Sequence, residues 1–176
     1  MGRNGIAGFA ALALVSIAAS AHQEHAMPLV HTTAGFAFDL MLAYDFAAPL
    51  FGAKEESKWA PDWSPQFLHP VPAADIEGAV FRTLDGPHQG RLWINTVFDL
   101  ANGHIQYVYV LNQAIVTRID IHLARKGANE THVAVTYERT ALAPSANDEV
   151  RKATKATAAY GPEWRDAIER YAQTVR

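Results

Sequence analysis

Tyr107, Tyr109, Arg91 and His69 are the side chains in this sequence best suited to work on a small molecule. A phenol packs through its ring and orients through its hydroxyl, a guanidinium grips an anion with a planar fork, and an imidazole exchanges a proton near neutrality. His69, between Leu68 and Pro70 at the end of an aromatic stretch, is the leading acid–base candidate, and Asp62 beside Trp63 is the next. The competing reading of His69 is an exposed loop residue. There is no cysteine, no G-x-S-x-G stretch and no glycine-rich phosphate loop, which removes the thiol, common hydrolase and nucleotide-dependent classes. Chemistry that depends on shaping a substrate survives this exclusion.

Histidines suggest a second chemistry. HQEH at residues 22–25, followed by His31, could bind copper or zinc through imidazoles and a terminal amine. The segment has no predicted rigid element to fix such ligands, so no metal or other cofactor is assigned. Arg118, Asp120 and Glu138 alternate along neighbouring strands on a wet face. They read as a cross-strand ion-pair ladder and are set aside as site residues.

The aromatic stretch is WAPDWSPQFLHP, residues 59–70. Its prolines remove donors and fix φ, so an irregular course is predicted, with Trp59 as a core plug and Trp63 at a pocket mouth. Upstream, His31 to Leu40 reads as a strand, and Ala43 to Trp59 as short helices broken near Pro49 and Gly52. Downstream come five β-rich segments: Glu77–Leu84, Arg91–Leu100, His104–Leu111, Ala114–Arg125 and Thr131–Leu142. The connections DGPHQG, ANG, NQ and KGAN are too short for crossover helices, and Asn102-Gly103 is a hairpin signal. An antiparallel meander follows.

Alternation makes one sheet face apolar. Ile115, Ile119, Ile121 and Leu123 share a side, as do Val133, Val135 and Tyr137. The strand containing Trp93 and Asn95 is apolar on both sides, through Ile94 and Phe98, and leaves its inward set open. With Trp93 inward, Arg91 would meet an anionic ligand group at a pocket end. The C-terminus carries a helical stripe through Val150, Ala153, Thr157, Tyr160, Trp164, Ile168, Tyr171 and Val175. Ser145 or Asn147 is the predicted cap, and Gly161-Pro162 a predicted kink. Ala153, Ala156 and Thr157 are small, which either leaves room for a cavity at that end or lets helix and sheet approach closely.

The 176 residues supply one domain, with 15 basic and 18 acidic residues and no basic run. Nucleic acid and a polybasic membrane patch are therefore poor partners. Residues 1–21 read as a signal peptide: a positive start, an apolar run from Ile6 to Ala18, and the A-x-A site Ala19-Ser20-Ala21. The apolar run is shorter than the roughly 20 residues of a spanning helix, so no stable membrane insertion is expected after cleavage. Export to a bacterial periplasm is expected, with residues 22–29 flexible and residues 30–176 forming the domain.

WAPDWSP, LWINTVFD, HIQYVYV, RIDIHL, THVAVTYERTAL and YGPEWRDAIERY, in this order, resemble the START-like (SRPBCC) superfamily, in particular its polyketide cyclase/dehydrase and lipid-transport branch. The resemblance spans roughly residues 30–176. It implies an α+β helix-grip fold: a curved antiparallel sheet of about six strands around a long kinked C-terminal helix, with two short helices after the first strand. It also implies an apolar pocket for a lipid, sterol or polyketide-like molecule. Expected pocket residues are Trp93, Tyr107, Tyr109 and Tyr137 from the sheet, Trp63 and Phe67 from the aromatic stretch, and Thr157, Tyr160 and Trp164 from the helix. Ordinary core packing is the other reading of each. Transport or sequestration is the leading role, a cyclase or dehydratase the alternative, and a periplasmic metal-handling or interaction module a third.

Overall fold

A computed structural model describes residues 27–175. The expected signal peptide and His22 and His25 lie outside the described residues. β1 (His31–Leu40) leads into α1 (Tyr44–Ala47), a 3-10 turn (Ala48–Phe51) and α2 (Ala53–Glu56). Pro49 lies within the 3-10 turn and Gly52 separates it from α2, which is where the sequence places the breaks. Glycine at position 52 lets the Asp75 carboxylate approach the start of α2, where it accepts the Lys54 and Glu55 N–H groups at 2.8 and 3.2 Å.

The sheet is completed by β2 (Pro65–His69), β3 (Val80–Thr83), β4 (Arg91–Asp99), β5 (His104–Leu111), β6 (Ile115–Gly127) and β7 (Glu130–Ala141). These strands form one antiparallel sheet in the order β1-β7-β6-β5-β4-β3-β2, seven strands rather than about six. The added strand is β2, in the stretch expected to be irregular. Pro65 can open it because an edge strand pairs on one side only, and β2 pairs only with β3.

β4 resolves its own ambiguity. Between Asn95 and Val97 its register against β5 shifts by one residue, so Trp93 and Asn95 before the shift share the inner face with Phe98 after it. Trp93 and Asn95 are buried and Ile94 is exposed. At the β4–β5 hairpin Gly103 has φ of 69°, and a Cβ there would overlap the Leu123 carbonyl oxygen.

The C-terminal helix is α3 (Asn147–Ala156) and α4 (Tyr160–Thr174), separated by a 3-10 turn at Thr157–Ala159. The break therefore precedes Gly161-Pro162. Pro162 falls in the first turn of α4, where its missing N–H has no intrahelical partner to lose. Gly161 fits against β1, since a Cβ would stand 3.2–3.4 Å from the Phe36 side chain. No side chain caps α3. Asn147 instead accepts the Val30 N–H at 2.8 Å and donates to the Pro28 carbonyl at 3.1 Å, anchoring the chain from Pro28 onward. No described helix is long and apolar enough to cross a membrane.

The inner sheet face and the helix stripe share one core, built on Leu40, Phe81, Ile105, Val133, Val135 and Ile168. Thr157 is buried as predicted, and Val150 is buried in a second, smaller cluster with Ile115, Ala141 and Ala146, whereas Ala156 and Val175 are exposed.

Candidate functional site

One row of paired residues crosses all seven strands on the inner face: Phe67, Phe81, Trp93, Tyr109, Thr117, Arg139 and Thr32. Its first four members are aromatic and its last three polar. Phe81 stacks on Phe67 and Trp93 at 5.3 and 5.7 Å, and Trp93 lies 4.4 Å from Tyr109. The next row holds Asn95, Tyr107, Ile119, Tyr137 and Ala34.

Between these rows and α4 lies a cavity of about 520 Å³, joined through shared walls to a smaller chamber of about 50 Å³. Trp93, Tyr137, Trp164, Ile119, Glu56 and His88 line both. The larger space adds Trp59, Tyr109, Tyr160, Arg91, Arg139 and, at the helix, Glu163 and Arg170. The smaller adds Trp63, Phe81 and Tyr107. The cavity lies along the bulky half of the helix, Tyr160 to Arg170. At the small-residue end the helix closes on the sheet: Thr157 is fully buried there, and Thr154 Oγ1 meets Thr32 Oγ1 of β1 at 2.7 Å.

Several predicted site residues therefore stand elsewhere. His69 is exposed on edge strand β2, and neither it nor Asp62 lines the cavity. Phe67 packs behind Phe81, and Thr157 is bonded to Arg139. Trp63 is 7% exposed and faces the smaller chamber, its indole N–H donating to the Ala53 carbonyl at 2.6 Å. Trp59, anchored on the Leu50 carbonyl at 2.7 Å, faces the larger one. Both tryptophans are thus core residues, and each also walls one of the two spaces. Tyr107 reaches the smaller chamber with its ring, but its hydroxyl donates to the Phe51 carbonyl at 3.0 Å and burial pushes its pKa well up. It is a structural phenol, unsuited to proton transfer.

Three polar residues of the cavity were not singled out from sequence. Glu56, at the end of α2, has no hydrogen-bond or ion-pair partner for its carboxyl among the described residues, and burial, reinforced by the nearby Asp75 charge, raises its pKa from 4.5 to about 8. His88, in the turn before β4, is held down to about 4 by burial and by Arg91. Its Nδ1 accepts from Arg91 Nη1, so its proton sits on Nε2, and its ring meets Trp63 edge-on at 5.2 Å.

Arg139 is the third, and its position follows from parity: it shares the β7 face of Val133, Val135 and Tyr137. It is 3% exposed, its Nη1 donates to Thr157 Oγ1 at 2.9 Å, and its guanidinium lies 4.5 Å over the Tyr137 ring. No carboxylate pairs with it among the described residues. Burial of the phenol, with Tyr109 adding to it, pushes the Tyr137 pKa far above its usual value.

Outside the cavity, His104, Asp120 and His122 bring their ligating atoms within 4.8 Å of one another on the outer face. Asp120 is already engaged by Arg118 Nε at 2.9 Å, Gln106 Nε2 at 2.6 Å and His104 at 3.2 Å. Arg118 continues to Glu138 at 2.7 Å, which makes this cluster the ion-pair ladder.

No family model matches the chain, and no curated protein is similar to it in sequence. Solved structures are similar in fold. A START superfamily protein from Mycobacterium smegmatis superposes with a TM-score of 0.60 at 12% identity, covering 84% of this chain and 100% of its own. Norcoclaurine synthase from Thalictrum flavum, in complex with dopamine and hydroxybenzaldehyde, gives 0.56 at 13%, covering 84% and 88%. A protein of Rhizobium leguminosarum gives 0.57 at 11%, covering 84% and 97%. The seven-stranded sheet gripping a broken C-terminal helix is thus the helix-grip architecture, and the chain has the START-like, or SRPBCC, fold.

Proposed function

We propose that the protein binds a hydrophobic or aromatic small molecule, lipid-, sterol- or polyketide-like, between its sheet and α4, and that it carries or sequesters that molecule. The observation behind this reading is the cavity of about 520 Å³ walled by Trp59, Trp93, Tyr109, Tyr137, Tyr160 and Trp164. That size lies in the range of small-molecule sites, and aromatic walls gain contact area at little entropic cost. The aromatic ligands in the Thalictrum structure are in keeping with it. Native mass spectrometry of protein purified from its own host tests the proposal. A retained apolar ligand, released on unfolding, is expected; protein that carries none and takes up no apolar probe overturns it.

Glu56 favours a second reading, an enzyme of the cyclase or dehydratase type. A partnerless carboxyl with a pKa of about 8 facing the cavity can give and take a proton at neutral pH, with Tyr109 and Arg91 orienting the substrate. Glu56→Gln should then abolish turnover and leave binding intact. Export to the periplasm belongs to the proposal and rests on the pattern of residues 1–21. Cell fractionation with N-terminal sequencing tests it, the expected first residue being His22.

A further inference from the structure

We infer that the molecule taken up is an amphipathic organic acid, and that Arg139 receives its carboxylate while the aromatic half of the cavity holds its apolar body. This deepens the binding reading above and rests on it.

A guanidinium cannot shed its proton under ordinary conditions, so burying Arg139 at 3% exposure removes a permanent charge from water. Buried charges are ordinarily paired, and the chain provides Arg139 with one neutral hydroxyl, that of Thr157, and the face of the Tyr137 ring, but no anion among the described residues. Its Nε and Nη2 groups have no partner among the described residues. They form the edge of the guanidinium that a carboxylate bridges with two parallel hydrogen bonds.

Other buried polar groups around the rows also lack partners, among them the Asn95 Oδ1 acceptor in the neighbouring row. Thr117, between Tyr109 and Arg139 in the row, has a buried hydroxyl with no partner, and so does the Nε of Arg91, whose guanidinium lies over the Tyr109 ring at 5.1 Å. Arg91, Arg139 and Arg170 face the cavity against Glu163 and a Glu56 that is largely protonated at neutral pH. The cavity is therefore cationic while its walls are aromatic. A neutral lipid would leave the buried guanidinium uncompensated, whereas a single carboxylate on an apolar body satisfies both halves.

Calorimetric titration of the purified protein at neutral pH compares two acids, decanoic and 2-naphthoic, with the alcohols of the same skeletons, 1-decanol and 2-naphthylmethanol. The wild type should prefer at least one acid over its alcohol by about ten- to a hundredfold. Arg139→Lys keeps the charge and loses the fork, and should reduce that preference several-fold by weakening the acid more than its alcohol. Circular dichroism checks that the variant folds, and the wild-type preference is measured independently of it. Alcohols binding as tightly as the acids would overturn the inference and leave the binding reading standing. A preference for acid that Arg139→Lys leaves intact would overturn the assignment to Arg139. Failure of all four probes to bind would overturn the inference and count against the binding reading as well.

Discussion

Arg139 Nη1 donates to Thr157 Oγ1 across 2.9 Å, joining the inner face of β7 to the turn between α3 and α4. Thr157 Oγ1 also donates to the Ala153 carbonyl at 3.1 Å, so one hydroxyl links strand, turn and helix. Thr157→Val keeps the shape and removes the acceptor. It should lower stability by about 1–3 kcal/mol, the cost of stripping a buried charged donor of its partner. Urea unfolding with an unchanged m-value is the check.

Glu56 sets the expected pH dependence. Its folded pKa is raised from 4.5 to about 8, so between those values the folded protein keeps a proton that the unfolded chain has released. The stability it contributes is complete below the lower value and is lost as pH rises through the upper one. Glu56→Gln should flatten that decline and be the more stable form by about 2 kcal/mol above the window, a figure reduced from the full shift because the carboxyl retains some contact with solvent. Equilibrium unfolding on both sides of the window decides it; parallel profiles for the two proteins would return Glu56 to an ordinary carboxylate.

Gly103 and Gly78 both have positive φ, 69° and 79°, but only Gly103 has backbone in the way. Gly103→Ala should cost about 3 kcal/mol, conformational strain and displacement of the Leu123 carbonyl together, and Gly78→Ala about 1 kcal/mol, the strain alone. Thermal melts of the pair separate the two contributions.

Arg118 bridges Asp120 and Glu138 on the outer face with its side chain 45% exposed. Arg118→Ala should change stability by no more than about 0.5 kcal/mol and leave ligand uptake untouched, as for a solvated ion-pair network. A larger effect on uptake would show that the outer face contributes to the site.

Much of this architecture was legible because local pattern and tertiary fold agree. His31–Leu40 and His104–Leu111 have the predicted bounds, and the helix stripe holds its phase across the Thr157–Ala159 turn. β2 was hidden because Pro65 speaks against a strand, and its place as the first residue of an edge strand makes it acceptable. The inward face of β4 was hidden because a one-residue register shift has no signature in an alternating run. Arg139 was in reach, since counting by twos from Val133 arrives at it. Glu56 was not: a four-residue helix carries too little periodicity to say which way a carboxyl points, and its direction depends on how Asp75 and Trp59 dock around α2. His88 lay in a turn whose inward tilt is fixed by Arg91 and Trp63, contacts that sequence spacing does not encode.

The β2 edge bears on how these molecules avoid one another. A free sheet border invites another chain's extended segment to add on and propagate, and Leu68 on this border is 48% exposed to such a visitor. The strand is five residues long, starts at a proline without an N–H and stops just before Pro70. Protection against fibrillar self-association at this border thus comes from brevity and missing donors, and replacing Pro65 or Pro70 would open a template for polymerisation that the fold otherwise withholds.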